Sequence, residues 1–431
     1  MRFIEHPDRR HVVGEMHLRR FPRLSPPVQA IQFARVLDKD ARQIEADALA
    51  ACPVPLQSDG PRHLEGRWSD EIRMTWERHS EASSVTLTFS GEAAAPLDWH
   101  PPTDQRRAEA IAWAEALPGQ VFRATHLMLV ADEAAALPLL AQAEFRASHL
   151  VSCHVAGGAR IWCDFRIHDD GYGRLVVAAN GLSDGDLSRC VQKIQELGNY
   201  RNLALLGLPV AQAGWAALDG VDRDLERAAR LLRDGTRRDD DLLADLTDLT
   251  ATLLSLAGDC DFRMGATVAY AQIVADRLVE LDVHPIAGFQ SLTDFIGRRF
   301  HPAMRTCTAF SARMRLLGER TAQFTALLRT RIETNIENQN ADLLASMDRS
   351  TKMQLKMQHL VEGLSTVAIS YYALGLLSYP LKALEKALPH FSATFALGLA
   401  AVPLALTVHL MMGRLRHRMI SLDDKPVQEK A

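Results

Sequence analysis

The sequence predicts an α+β body that gives way to an all-α region ending in a transmembrane helical hairpin. Three observations predict it. Up to Leu206, stretches that alternate apolar and polar residues at period two are interleaved with amphipathic helical stretches. Beyond Pro209 the strand pattern stops and helical periodicity alone remains. Near the C-terminus two charge-free segments, Gly363 to Leu381 and Ala387 to Gly413, each reach the roughly 20 apolar residues that cross a bilayer as a helix.

Residues 1–27 are rich in His, Arg and Pro and read as an irregular lead-in. Val28 to Leu37 is apolar enough for a strand, and Asp38 caps a helix through about Ala51 that Pro53 and Pro55 end. Glu71 to His79 and Ser84 to Ser90 alternate as half-buried strands joined by a short polar link, which predicts a hairpin. Thr103 to Leu117 reads as a helix stopped by Pro118-Gly119, and Val121 to Val130 as a strand. The resulting β-α-β-β-α-β order is that of a ferredoxin-like split unit, spanning 1–131. A second mixed segment, 132–209, holds a helix over Asp132 to Ala143. Three strands follow in it, at His149 to Ala156, Arg160 to Ile167 and Arg174 to Ala179, and then a helix capped at Ser183-Asp184.

The region 210–300 reads as helices over Leu225 to Arg233, Asp240 to Leu256, Thr267 to Leu281 and Leu292 to Phe300. Gly258-Asp259-Cys260-Asp261 and His284-Pro285 are the expected breaks. A long helix over 301–360 begins near Ala303. In it Phe310, Met314, Leu317, Thr321, Phe324 and Leu328 form a narrow coiled-coil seam, continued less strictly by Ile332, Ile336, Leu343, Met347 and Leu360. It is either one unbroken helix or two or three packed pieces broken near Gly318 or Asn338-Gln339-Asn340. The hairpin occupies 361–418, with a charged turn at Lys382 to Lys386, and a tail follows over 419–431.

Charge orients the hairpin. Arg349, Lys352 and Lys356 precede the first span and Arg414, Arg416 and Arg418 follow the second, whereas the turn offsets Lys382 and Lys386 with Glu385. Short Lys/Arg-rich flanks stay cytoplasmic, so both termini and the body are expected on the cytoplasmic side of a bacterial inner membrane, with the bilayer as partner. The lead-in has no apolar core of signal-peptide length. The net charge of −4 argues against nucleic acid as a partner. The 6 cysteines make no C-x-x-C pair, which suits buried thiols in a reducing compartment.

No Walker loop, G-x-G-x-x-G run or nucleophile elbow occurs, so nucleotide and hydrolase chemistry have no support and the chain is not read as an enzyme. Two Glu/His pairs remain: Glu15 with His17, and His79 with Glu81. Residues two apart on extended backbone point the same way, so the four together are the candidate ligands of a divalent metal, the one cofactor the sequence suggests. Arg9, Arg10, Arg19, Arg20 and Arg23 form a basic cluster for lipid headgroups or for the chain's own acids. The spans carry hydroxyls but no acid or base at mid-depth, which argues against a proton relay.

Four phrases carry a resemblance: HPDRRHVVGEMHLRRFP, TWERHSEASSVTLTF, LGNYRNLALLGLP and the run from Glu337 to Leu377. They resemble an uncharacterised family of bacterial membrane-anchored proteins, catalogued as a domain of unknown function, number 3422. That resemblance implies the anchor and no activity. The C-terminal layout also resembles CorA-type channels, but Ser378-Tyr379-Pro380 stands where those carry Gly-Met-Asn. The function expected is structural, assembly or regulatory work by a membrane-bound homo-oligomer. A divergent ion channel and a metal-dependent enzyme are the alternatives.

Overall fold

The computed structural model describes residues 5–9, 23–58, 60, 62–387 and 392–423. Glu15, His17, Arg10, Arg19, Arg20 and the end of the tail lie outside the described residues. The chain divides into two compact units, Met1–Ala326 and Leu327–Ala431.

The first unit is built on a ten-stranded mixed sheet. Its strands are β1 (Val28–Val36), β2 (Leu56–Ser58), β3 (His63–Arg67), β4 (Ile72–Arg78), β5 (Ala82–Ser90), β6 (Gln120–Val130), β7 (Val151–Val155), β8 (Ala159–Cys163), β9 (Gly173–Ala178) and β10 (His284–Pro285). They lie in the order β10-β7-β8-β9-β6-β1-β5-β4-β3-β2, so both mixed segments of the sequence share one sheet. Among the described strands β6 and β9 pair in parallel and the other adjacent pairs are antiparallel. The short strands β2 and β3, with the polar sequences LQS and HLEGR, were not expected. They extend an edge, where pairing rather than an apolar face supports the strand.

Alternation sorts β1 between two cores. Val28 and Ala30 face one layer, and Ile31 and Phe33 the other. The Ile31 side is covered by α1 (Lys39–Ala50) and α2 (Gln105–Glu115), and further along the sheet by α3 (Glu133–Gln142). The Val28 side is covered by α4 (Asp184–Leu205) and part of α6 (Asp239–Glu280). Local chemistry starts these helices: the Asp38, Asp104, Asp132 and Ser183 side chains each accept a backbone N–H of the first turn.

Past the sheet, α5 (Gly207–Asp234), α6 and the head of α7 (Leu292–Ala387) close a helical core. A Cβ at Gly214 would come within 2.5 Å of the Phe310 ring, so the missing side chain lets α5 approach α7 closely. Arg313 reaches from α7 to Asp219 and Asp222 of α5, at 2.9 Å each.

Three expectations are corrected. The Gly258 to Asp261 stretch does not break its helix: α6 runs 42 residues through it, because Cys260 and Met264 are buried against α5 and α7 and packing overrides the local propensity. The long helix begins at Leu292 rather than Ala303 and has no break at Gly318 or Asn338. It continues through Pro380 and the charged residues Lys382 to Lys386, which are helical rather than a turn. The connection to α8 (Ala393–Asp423) therefore falls after Ala387.

The seam divides in two. Phe310, Met314, Leu317 and Thr321 are buried, and Phe310, Met314 and Leu317 pack against Ala211, Leu218 and Met264 of the same chain. Ile336, Leu343, Met347 and Leu360 are exposed.

Among the described residues three helical stretches are long and apolar enough to cross a membrane: 184–234, 292–386 and 393–414. Their most apolar windows are 33%, 6% and 0% buried, respectively. The first belongs to the body, since Leu187, Val191, Ile194 and Leu197 of α4 pack under the sheet. The other two present Leu364, Val367, Tyr371, Leu376, Phe395, Leu399, Val402 and Leu406 with more than half of each side chain uncovered.

All 6 cysteines are free; Cys153, Cys190, Cys260 and Cys307 are buried, Cys52 and Cys163 half-buried. Burial raises every one of these thiols above the ordinary range, Cys163 to about 11 and Cys190 to about 12.

Candidate functional site

On the α4 side of the sheet a cavity of about 180 Å³ opens between β6, β8, β9 and α4. Its depth is apolar, formed by Ile161, Leu175 and Leu197, each nearly fully buried. Exposed Val121, Ile167 and Gly171 stand at its rim. Its lining holds Arg123, Arg166, Arg174 and Arg201 and no Asp, Glu, His or Lys among the described residues.

Two of these arginines are unusual. Arg123 lies on β6 at a position that alternation turns toward α4, beside Thr125, Leu127 and Leu129. Its Nη1 donates to Gln32 Oε1 at 2.7 Å and to Asn199 Oδ1 at 2.9 Å. Arg201 lies on α4, seven residues after Ile194 and four after Leu197, so it continues an apolar stripe. Its Nε and Nη2 donate to Asn202 Oδ1 at 3.3 and 3.1 Å, and Asn202 Nδ2 donates to the Phe122 carbonyl, which fixes that amide. Arg201 Nη1 is buried with no hydrogen-bond partner. Both cations are thus met by neutral amide oxygens, and neither makes an ion pair with a described carboxylate.

The electrostatics follow from that geometry. Burial, and then the like charge of Arg201, bring the Arg123 guanidinium down to about 9; burial lowers Arg201 as well. Arg123 stays protonated at neutral pH. Arg174, by contrast, is held by Asp170 at 2.9 Å.

Local structure is shaped around the pair. A Cβ at Gly198 would sit 2.7 Å from the Arg123 guanidinium, so the missing side chain lets that group lie close against α4. Phe165 holds a left-handed φ of 54°, a costly conformation for a side chain of this size. Its ring stacks on Phe295 at 4.1 Å and carries the Arg201 guanidinium 4.5 Å from its centroid. The lining thiol, Cys163, stays protonated at neutral pH. The cavity therefore offers cations beside an apolar wall.

Two of the four sequence-predicted metal ligands, His79 and Glu81, are described. Glu81 is 5% exposed and takes two hydrogen bonds from Arg263, at 2.8 Å and 2.5 Å. Tyr270 bonds the same carboxylate. Tyr270 stacks on Tyr200, and the Tyr200 hydroxyl lies 3.4 Å from His79 Nδ1. His79 and Glu81 are thus joined through two tyrosines. No cluster of three or more His, Cys, Asp or Glu able to hold a metal occurs among the described residues.

A family model described as Protein of unknown function (DUF3422) matches residues 4–419. The chain belongs to this family. No curated protein and no solved structure matches it. In this member of the family, the phrase Leu197 to Pro209 does double duty: it carries the resemblance and supplies Gly198, Asn199, Arg201 and Asn202 to the cavity. The two arginines were missed in the sequence, although each breaks an apolar pattern, on β6 and on α4 respectively.

Proposed function

We propose that the chain is a membrane-anchored protein of a bacterial inner membrane, with its body and both termini cytoplasmic, acting in assembly or regulation rather than catalysis. One observation carries the reading. The most apolar windows of α7 and α8 are 6% and 0% buried, so they leave to the solvent what a water-soluble chain covers. Hydrocarbon is the solvent in which such surfaces cost nothing. The basic flanks, Arg349, Lys352 and Lys356 before and Arg414, Arg416 and Arg418 after, set the orientation. In the body, the β-α-β-β-α-β segment is a ferredoxin-like split unit with β2 and β3 as an added edge, a reading supported by the antiparallel order β6-β1-β5-β4.

The lower seam, Ile336, Leu343, Met347 and Leu360, is the surface through which copies of the chain associate; the upper seam is taken by the chain's own α5 and α6. A reporter fused after Ala431 is expected to be active only in the cytosol, and one inserted at Glu385 only outside. A C-terminal fusion active outside rejects the hairpin. Changing Leu343 and Met347 to Glu is expected to give a smaller particle by light scattering in detergent; a wild type that already runs as a monomer rejects self-association.

A further inference from the structure

We infer that the arginine-lined cavity is the receptor site of a small organic acid, whose carboxylate is held by Arg123 and Arg201 and whose apolar body lies against Phe165, Ile161, Leu175 and Leu197. The argument starts from what the pair lacks. Burying a cation without a counter-charge is among the more costly things a fold does, and proteins ordinarily answer it with a carboxylate. The same body does so where Arg263 has Glu81, Arg277 has Glu196 and Arg160 has Glu133, while Arg35 and Arg107, buried in closed packing, are met by the Ala114 carbonyl and by Gln29. Arg123 and Arg201 differ from these last two in lining an open cavity. Around Arg123 and Arg201 the chain supplies amide oxygens only, and one guanidinium nitrogen, Arg201 Nη1, is buried and still has a proton to give. The missing acid belongs to the ligand.

The rest of the cavity says what kind of acid. Guanidinium presents paired N–H groups in a planar fork that matches a carboxylate. A volume of about 180 Å³ admits a molecule of a few carbon atoms or one ring. The deep wall is apolar, so bare phosphate would leave Ile161, Leu175 and Leu197 in contact with water, whereas an organic acid covers them. The amide oxygens of Gln32, Asn199 and Asn202 and the Phe165 ring hold the two cations in place before the ligand arrives, and this lowers the ordering required at binding.

The test uses the full-length protein in detergent and follows its melting temperature with benzoate, benzamide and inorganic phosphate. Benzoate is expected to raise the melting temperature saturably at millimolar concentration, with benzamide and phosphate having no comparable effect. Replacing Arg201 by Lys keeps the charge and removes the fork, and should weaken benzoate about tenfold. Replacing Arg201 by Met should abolish the response without lowering the melting temperature of the ligand-free protein, a result that a merely structural arginine would not give. Arg123→Gln provides a second variant with the same expected loss. The inference is overturned if benzoate has no saturable effect, if benzamide or phosphate matches it, or if the response survives in Arg201→Met.

Discussion

Two charge sites of the same body, one buried and one half-buried at a cavity, are solved in opposite ways. At Glu81, the carboxylate and its cation both come from the chain: Arg263 on α6 reaches the link between β4 and β5 and meets Glu81 with two nitrogens, with Tyr270 bonded beside them. At the cavity, Arg123 and Arg201 come together under the same sheet and the chain brings no acid. The first arrangement ties α6 to the start of β5 and gains nothing from an outside partner. The second leaves a cation pair that an anion from solution can complete. A buried ion pair is evidence about the fold, and an unmatched charge that lines an open cavity points to a ligand.

The largest expected effect comes from turning the first site into a copy of the second. Glu81→Ala leaves Arg263 without its acid, and should cost about 3 kcal/mol, the low end for a broken buried pair, because the Arg263 side chain keeps 19% of its surface in water. A urea midpoint lowered to match would agree; an unchanged midpoint would show that the pair contributes nothing to the fold.

His126 gives a comparable effect through pH. It is 5% exposed, and burial chiefly, with Arg107 and Arg174 nearby, brings it down to about 4. Arg107 donates to Gln29 Oε1, and the Gln29 amide donates to His126 Nε2, so the ring must stay neutral to accept. The unfolded chain takes a proton near pH 6.5 and the folded chain does not until about 4. Stability is therefore complete above about 6.5 and falls as pH drops toward 4, by about 3 kcal/mol in all. Denaturation midpoints measured across that window check it, and His126→Gln should flatten the curve between the two values.

The next effect is smaller and opposite in sign. Arg201→Met removes an unmatched buried cation and should stabilise the ligand-free body by about 1 kcal/mol. A loss of stability instead would make the two charge sites alike. The smallest effect concerns metal. If His79 and Glu81 share an ion with Glu15 and His17, His79→Ala lowers bound metal in the purified protein while its melting temperature barely moves. Metal-free wild-type protein by elemental analysis ends that possibility.

Much of the fold was legible because its signals are local. Strand alternation placed β1, β4, β5 and β6, and caps such as Asp38 and Ser183 placed helix starts to within a residue or two. What was not legible depends on neighbours. The strands β2 and β3 are too short and polar to signal themselves and exist because β4 offers an edge. Gly258 reads as a break until α5 and α7 are seen packing on Cys260 and Met264. The charge-free windows marked α7 and α8, but the helical course of Lys382 to Lys386 depends on the turns before it, since a helix already formed extends at little cost. The cavity was legible in halves: an arginine among the core-facing positions of β6, and another in the apolar stripe of α4. Only the crossing of strand and helix puts the two together.

The six raised thiols turn the molecule into its own clock. Alkylating reagents attack thiolate, and at neutral pH the folded state offers almost none at Cys153, Cys163, Cys190 or Cys307. Each cysteine reacts when its surroundings open, so its labelling rate reports a local opening free energy. Cys153 and Cys190 time the layer beneath the sheet, Cys260 and Cys307 the helical core, and Cys163 the wall of the cavity. With no residue added, the protein carries separate timers for three of its regions.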